Sequence, residues 1–202
     1  MPLILSKQGF FELEVKKSRF TGHCIYAETE QNAKTFINEI RNIHKDANHN
    51  VFAYSVPGGE NISVVTRMSD DGEPSGTAGM PVLNVYQKSG IINFVCVVTR
   101  YFGGTLLGAG GLVRAYTKTA KGAMENACPE ELIIKKLFCV TCSYSNHDKV
   151  KYNFNKWGLE VNEWEYTDIC KTTVYVRKEQ EADFLNANFF EFFELRNARS
   201  AP

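Results

Sequence analysis

The sequence predicts an α+β protein built as two domains. Between Phe10 and Ala127, short β-rich runs with hairpin signals alternate with three segments of helical periodicity. At Asn126–Glu131 that pattern breaks: Pro129 cannot continue a helix, and a solvent-seeking Glu pair follows it. Beyond the break, a second set of elements reads strand, helix, strand, strand, helix, the order of a small split β-α-β sandwich. The domains are therefore placed at 1–128 and 129–202.

Phe10–Val15 and Arg19–Tyr26 read as two strands broken by Lys16-Lys17-Ser18. A helix opens at Thr29 or Glu30 and runs to about Ile43, with Ala33, Phe36, Ile37, Ile40 and Ile43 marking its buried face at helical spacing. Val51–Val56 and Ile62–Met68 are strands around a Pro57-Gly58-Gly59 turn. Ser69–Pro81, SDDGEPSGTAGMP, is a polar, glycine-rich loop, and a short helix covers Val82–Lys88. The β-branched run at Phe94–Val98 is a strand. In the second domain the strands are Ile133–Ser143, Leu159–Tyr166 and Ile169–Arg177. The helices are His147–Trp157, closed by Gly158, and Glu179–Asn188. Phe189–Leu195 fits a last strand, and its phenylalanines also fit a helix.

The chain is organised around Val97–Tyr116, VVTRYFGGTLLGAGGLVRAY, where a strand enters and a helix leaves. Five of the fifteen glycines fall here (Gly103, Gly104, Gly108, Gly110 and Gly111), a density that suits close approach of backbone to a ligand at a helix N-terminus. Two familiar glycine motifs are excluded letter by letter. Gly103 and Gly108 have P-loop spacing, but Ala109-Gly110 stands where Lys-Ser/Thr is required. Gly108-Ala109-Gly110 does not continue into the dinucleotide fingerprint. In the following helix Leu112, Ala115, Tyr116, Thr119, Ala120 and Ala123 form one stripe, and Arg114, Lys118 and Lys121 lie opposite. From Pro74 to Met124 there are five basic residues and no acidic one, a local positive region in a chain whose formal net charge is zero. Arg100, Tyr101 and Phe102 put a cation and two rings at the strand end, groups that can stack on bases.

The acidic loop supplies Asp70, Asp71 and Glu73. These carboxylates suit a divalent cation, a pairing with Arg100 or Arg114 that fixes the guanidiniums for an anion, or turn chemistry alone. Ser75 and Thr77 can donate to an anion or cap the next helix, and capping is the expected role. His23, His44 and His49 sit in or beside regular elements without a metal or nucleophile motif. Cys139-Val-Thr-Cys142 matches C-x-x-C but falls in a strand, where residues three apart face opposite ways; the cysteines read as reduced, mostly buried thiols. A hydrophobic share of 44% and a charged share of 23% mark a globular chain able to bury a core. The apolar Met1–Leu5 is too short for a signal core and no run reaches membrane-helix length, so a cytoplasmic protein is expected.

SDDGEPSGTAGMP and RYFGGTLLGAGGLVRAY closely resemble the two signature blocks of the IMPACT ("imprinted and ancient") family, with Lys17-Ser18-Arg19-Phe20 and His49-Asn50, Ala53-Tyr54 as weaker blocks. The likeness spans about Phe10–Ala127, and the second domain is similar to the carboxy-terminal module of bacterial members. The resemblance implies a first domain like the second domain of ribosomal protein S5, a two-layer α/β sandwich. It implies a second, ferredoxin-like α+β domain similar to one in translation elongation factor G. Eukaryotic members regulate translation and carry an amino-terminal recruitment domain that this sequence does not show. A binding module for RNA, a ribosomal component or another phosphate-bearing ligand follows. Arg100, Arg114, Lys118 and Lys121 would neutralise phosphate, Gly103–Gly111 would present amides, Tyr101 or Phe102 would stack on a base, and Asp70, Asp71 and Glu73 would orient the arginines. No cofactor or metal is called for in that reading. The alternatives are a Mg²⁺-dependent enzyme acting on a phosphorylated small molecule and a scaffold working by protein contacts.

Overall fold

The computed structural model describes residues 2–58 and 64–200 of the chain. They fall into two units, divided between Glu131 and Leu132. Gly59 of the expected turn, and Ile62 in the first residues of the strand expected after it, lie outside the described residues.

The first unit is built on an antiparallel sheet. Its elements are β1 (Leu3–Leu5), β2 (Gly9–Val15), β3 (Ser18–Tyr26), α1 (Glu30–Ile43), β4 (His49–Val56), β5 (Val65–Ser69), α2 (Gly79–Lys88), β6 (Phe94–Tyr101), α3 (Ala109–Asn126) and β7 (Pro129–Glu131). Strand order is β2-β3-β6-β4-β5, and β1 pairs separately with β7. Lys16 and Lys17, at φ 48° and 65°, make the tight left-handed turn from β2 to β3, a conformation that matches the twist of a hairpin.

Strand alternation sorts the core into two layers. Cys96 and Val98 of β6 join Phe20, Val51 and Ala53 beneath α2 and α3, which supply Val82, Tyr86, Leu112, Tyr116 and Ala120. Val95 and Val97 face the other way, beneath Phe36, Ile37 and Ile40 of α1. That is why β6 reads as an unbroken apolar run: it is covered on both faces. The expected two-layer sandwich therefore gains a third layer over β4 and β6. Thr29 caps α1 by accepting from the Asn32 amide at 3.1 Å. The buried stripe expected on α1 is correct except for Ile43, which at the helix end is 68% exposed. The α3 stripe is buried as patterned. Gly122, on the same helix, lies against the ring of Phe11, where any Cβ would overlap it.

The second unit comprises β8 (Ile133–Cys142), α4 (Tyr144–Lys156), β9 (Glu160–Val161), β10 (Glu165–Tyr166), β11 (Cys170–Arg177), a 3-10 turn at Lys178–Gln180, α5 (Glu181–Leu185) and β12 (Glu191–Ser200). Its sheet is antiparallel, ordered β10-β11-β8-β12, with β9 also paired to β11. Phe138, Val140, Val150, Phe154, Val174 and Phe184 form the core. The last segment is a strand. Phe190 and Phe192 pack into this core while Phe193 is exposed, a period of two that pairing with β8 selects over the helical alternative. The expected Leu159–Tyr166 strand is two short strands, and the expected Glu179–Asn188 helix is a 3-10 turn followed by the five-residue α5. The antiparallel sheets with their helices make this a mixed α/β protein.

Candidate functional site

The end of β6, the start of β4, the loop at 70–78 and the N-terminus of α3 meet around a cleft of about 440 Å³. Its wall includes His49, Glu73, Arg100, Phe102, Leu107 and Gly108.

Arg100 forms the floor. It is 5% exposed, and its Nη1 donates to Glu73 Oε1 at 2.7 Å and Oε2 at 3.0 Å. Its guanidinium carbon stands 5.4 Å from the centre of the Phe20 ring and 5.5 Å from that of Phe102, within cation–π range. The Nε is buried without a hydrogen-bond partner among the described residues. Tyr116 Oη donates to the same Glu73 Oε1 at 2.7 Å, and burial followed by the Glu73 hydrogen bond and charge pushes the phenol far above its ordinary pKa. His49 lies beside this group, its Nε2 3.9 Å from Glu73 Oε1. Its Nδ1 is 2.8 Å from the Asp71 carbonyl oxygen, which can only accept, so Nδ1–H is the donor in that bond.

The three carboxylates of the loop do not converge. Asp70 accepts from the amides of Gly76, Ala78 and Gly79 at 2.8, 3.0 and 2.8 Å and so caps α2 from eight and nine residues away. Burial raises its pKa, but those three amides outweigh it and leave the carboxyl below its usual range. Asp71 accepts from Arg41 at 3.1 Å and from the Asn50 amide at 2.6 Å. Only Glu73 takes the pairing with Arg100. Thr77 does not cap α2: its hydroxyl donates back to the Pro74 carbonyl at 2.6 Å. Ser75 is exposed in the same loop, and α2 starts at Gly79 rather than at Val82.

β6 continues to Tyr101, three residues past the expected end, and alternation then separates two neighbours. Arg100 faces the cleft. Tyr101 lies on the α1 face, where His44 Nδ1 is 2.8 Å from its hydroxyl and the Arg19 guanidinium is 4.5 Å from its ring centre. Phe102, half-exposed, returns to the cleft.

The glycine segment divides as well. The Phe102 amide donates to Asn48 Oδ1 at 2.7 Å and the Gly103 amide to Ser18 Oγ at 3.1 Å. A Cβ on Gly103 would overlap the Lys17 carbonyl, so this glycine serves the packing of loop against hairpin. Gly104 and Gly108, at φ 82° and 68°, shape the turn. Gly110 and Gly111 belong to the first turn of α3 and not to the loop. The first intrahelical bond of α3 runs from the Leu112 amide to the Gly108 carbonyl, no side chain among the described residues caps the helix, and its first turn has no acid. The amides of Ala109, Gly110 and Gly111 thus stand at the positive end of the helix dipole beside the cleft.

Arg114 and Lys118 line a neighbouring notch of about 270 Å³ with Lys16 and Glu14, and Leu107 lies in the walls of both hollows. Lys121 is farther along the helix, 3.6 Å from Glu125. Sequence reasoning left Asn48, Ser18 and Lys16 out of the site and set His49 aside because it belongs to no metal or nucleophile motif. The one signal for them was their place in or beside the short blocks at Lys17–Phe20 and His49-Asn50.

Comparison with known proteins matches the Impact N-terminal domain to residues 16–124, which contain both signature loops. IMPACT family member YvyE of Bacillus subtilis is 35% identical over 196 residues, covering 97% of this chain and 87% of its own. An IMPACT family member of Haemophilus influenzae is 38% identical over 151 residues, 75% of this chain and 73% of its own. A crystal structure described as that of a hypothetical protein superposes with a TM-score of 0.62 at 26% identity, covering 96% of this chain and 97% of its own. With the matched region spanning the cleft, the Lys16–Lys17 hairpin and both glycine-rich loops, the chain belongs to the IMPACT family.

Proposed function

We propose that this protein is a cytoplasmic regulator linked to translation that acts by binding, and that the cleft and its basic notch take phosphate groups of RNA, alone or within the ribosome. The observation that carries this is the uncapped N-terminus of α3, opening on a cleft and flanked by Arg114, Lys118 and Lys16. Arg100 has a different part from the one its sequence position suggested. Its charge is balanced by Glu73, so it holds the floor while the helix amides and the outer cations meet the anion. Phe102 is the ring placed to stack on a base. Membership of the IMPACT family supports the link to translation; a ribosomal-protein-S5-domain-2-like first domain and a ferredoxin-like second one are part of the same proposal, with the boundary expected at 128/129 moved to Glu131/Leu132 because Pro129–Glu131 pair with Leu3–Leu5.

The test is binding of a fluorescent single-stranded RNA over a salt series, comparing the native chain with Arg114→Ala/Lys118→Ala. Each lost phosphate contact on a single strand lowers the slope of log K against log salt by about 0.7, so the double variant is expected to bind more weakly with a slope shallower by about 1.4. Equal affinity and slope for the two proteins would overturn the proposal.

A further inference from the structure

Two pairs of cysteines face each other across neighbouring strands. Cys24 of β3 lies opposite Cys96 of β6, and Cys142 of β8 lies opposite Cys170 of β11. Residues directly opposed in an antiparallel pair have Cα atoms about 4.5–5.5 Å apart and project to one face. A disulfide spans Cα separations of about 4.4–6.8 Å, so both registers meet its distance requirement. Access separates the two pairs. Cys24 and Cys96 are sealed in the first unit's core together with Tyr86. Cys142 is 7% exposed and lines a cleft of about 360 Å³ with Ser143, Asn146 and Glu191. It stands opposite Cys170 in the strand register, and Cys170 is fully buried in the second unit's core. Cys139, the sequence neighbour in the C-x-x-C pattern, pairs across to Thr173 and Phe193 and is not part of this couple.

We propose that Cys142 and Cys170 are a reactive thiol pair that accepts a small oxidised thiol, a low-molecular-weight disulfide, in this cleft and closes to a cross-strand disulfide between β8 and β11. The Cys142 thiolate attacks one sulfur of the small disulfide; the S–S bond breaks and the first small thiol leaves with the electron pair and a proton from solvent. The Cys170 thiolate then attacks Cys142 Sγ in the mixed disulfide and expels the second small thiol. Two protein thiols are oxidised and one small disulfide is reduced to two thiols. The order follows from access, because only Cys142 borders the cleft. Burial, and then the neighbouring Cys170, push the Cys142 thiol up to about 11, so the reacting thiolate is scarce at neutral pH. The rate is expected to rise about tenfold per pH unit on the alkaline side of neutrality.

The test uses the intact folded chain treated with oxidised glutathione, then alkylated, digested and mapped by mass spectrometry. The expected product is one linked peptide pair, Cys142 to Cys170, lost on reduction, with Cys24 and Cys96 recovered as thiols. In Cys170→Ser, or Cys170→Ala where serine is not tolerated, the reaction is expected to stop at a mixed disulfide on Cys142. Full alkylation of Cys142 after treatment, linkage through the exposed Cys128 alone, or equal closure of Cys24 with Cys96 would each overturn the proposal.

Discussion

At the level of single residues, the buried triad of Glu73, Arg100 and Tyr116 sets the character of the cleft. Removing one partner of a buried ion pair leaves the other charged and unsatisfied, which costs about 3–5 kcal/mol. Arg100→Ala is therefore expected to lower the free energy of unfolding in urea by that amount, and Tyr116→Phe by about 1.5–3 kcal/mol, the range for a hydrogen bond to a charged group. A second prediction concerns acid. The Asp70 carboxyl has a lowered pKa when folded, so the stability it contributes is present above its unfolded value of about 3.9 and lost as pH falls through the folded value. His23 acts in the same sense at higher pH. Burial, with help from His44, lowers it from 6.5 to about 4, so its contribution is complete above 6.5 and fades as pH drops toward 4. Thermal melts of Asp70→Asn and His23→Leu across this range should each lose part of the native protein's acid sensitivity. The Glu73–Arg100 pairing was legible in the sequence as one of three options for the acidic loop. The separation of Arg100 from Tyr101 was not, because it depends on the strand running three residues farther than its apolar run.

Among the elements, α1 and α3 were readable because their apolar stripes are long and regular. The start of α2 was not. Its cap comes from Asp70, eight and nine residues upstream, and a contact made through a folded loop leaves no periodic trace. The C-terminal strand was ambiguous for the opposite reason: Phe189, Phe192 and Phe193 satisfy helical spacing, and only the edge of β8 decides between the two. The α3 N-terminus gives the sharpest prediction at this scale. Gly110 has room for a Cβ, the nearest atom being the tip of Arg114 at 3.6 Å. An acid in the first turn interacts favourably with the helix dipole, so Gly110→Asp is expected to stabilise the fold by about 0.3–1 kcal/mol. The same carboxylate occupies the ground a phosphate needs, so RNA affinity is expected to fall. Opposite signs in a thermal melt and a binding titration would separate the ligand role of this helix end from its structural role.

For the molecule as a whole, composition and the Pro129 break were enough to anticipate two sets of elements, whereas the layer added by α1 requires knowing which face of β6 each residue occupies. Both tryptophans, Trp157 and Trp164, lie in the second unit. Tryptophan fluorescence therefore follows that unit alone, while far-ultraviolet circular dichroism follows both. Non-coincident denaturant curves from the two probes are expected if the units unfold separately, and superimposable curves would show one cooperative transition. The contact of Gly103 with the Lys17–Ser18 backbone has its own consequence. With no space for so much as a methyl group between them, the glycine-rich loop and the lysine-bearing hairpin must shift in step. A dye attached at residue 17, which lines neither hollow, should therefore change its emission whenever a guest displaces that loop, making the hairpin a sensor of occupancy.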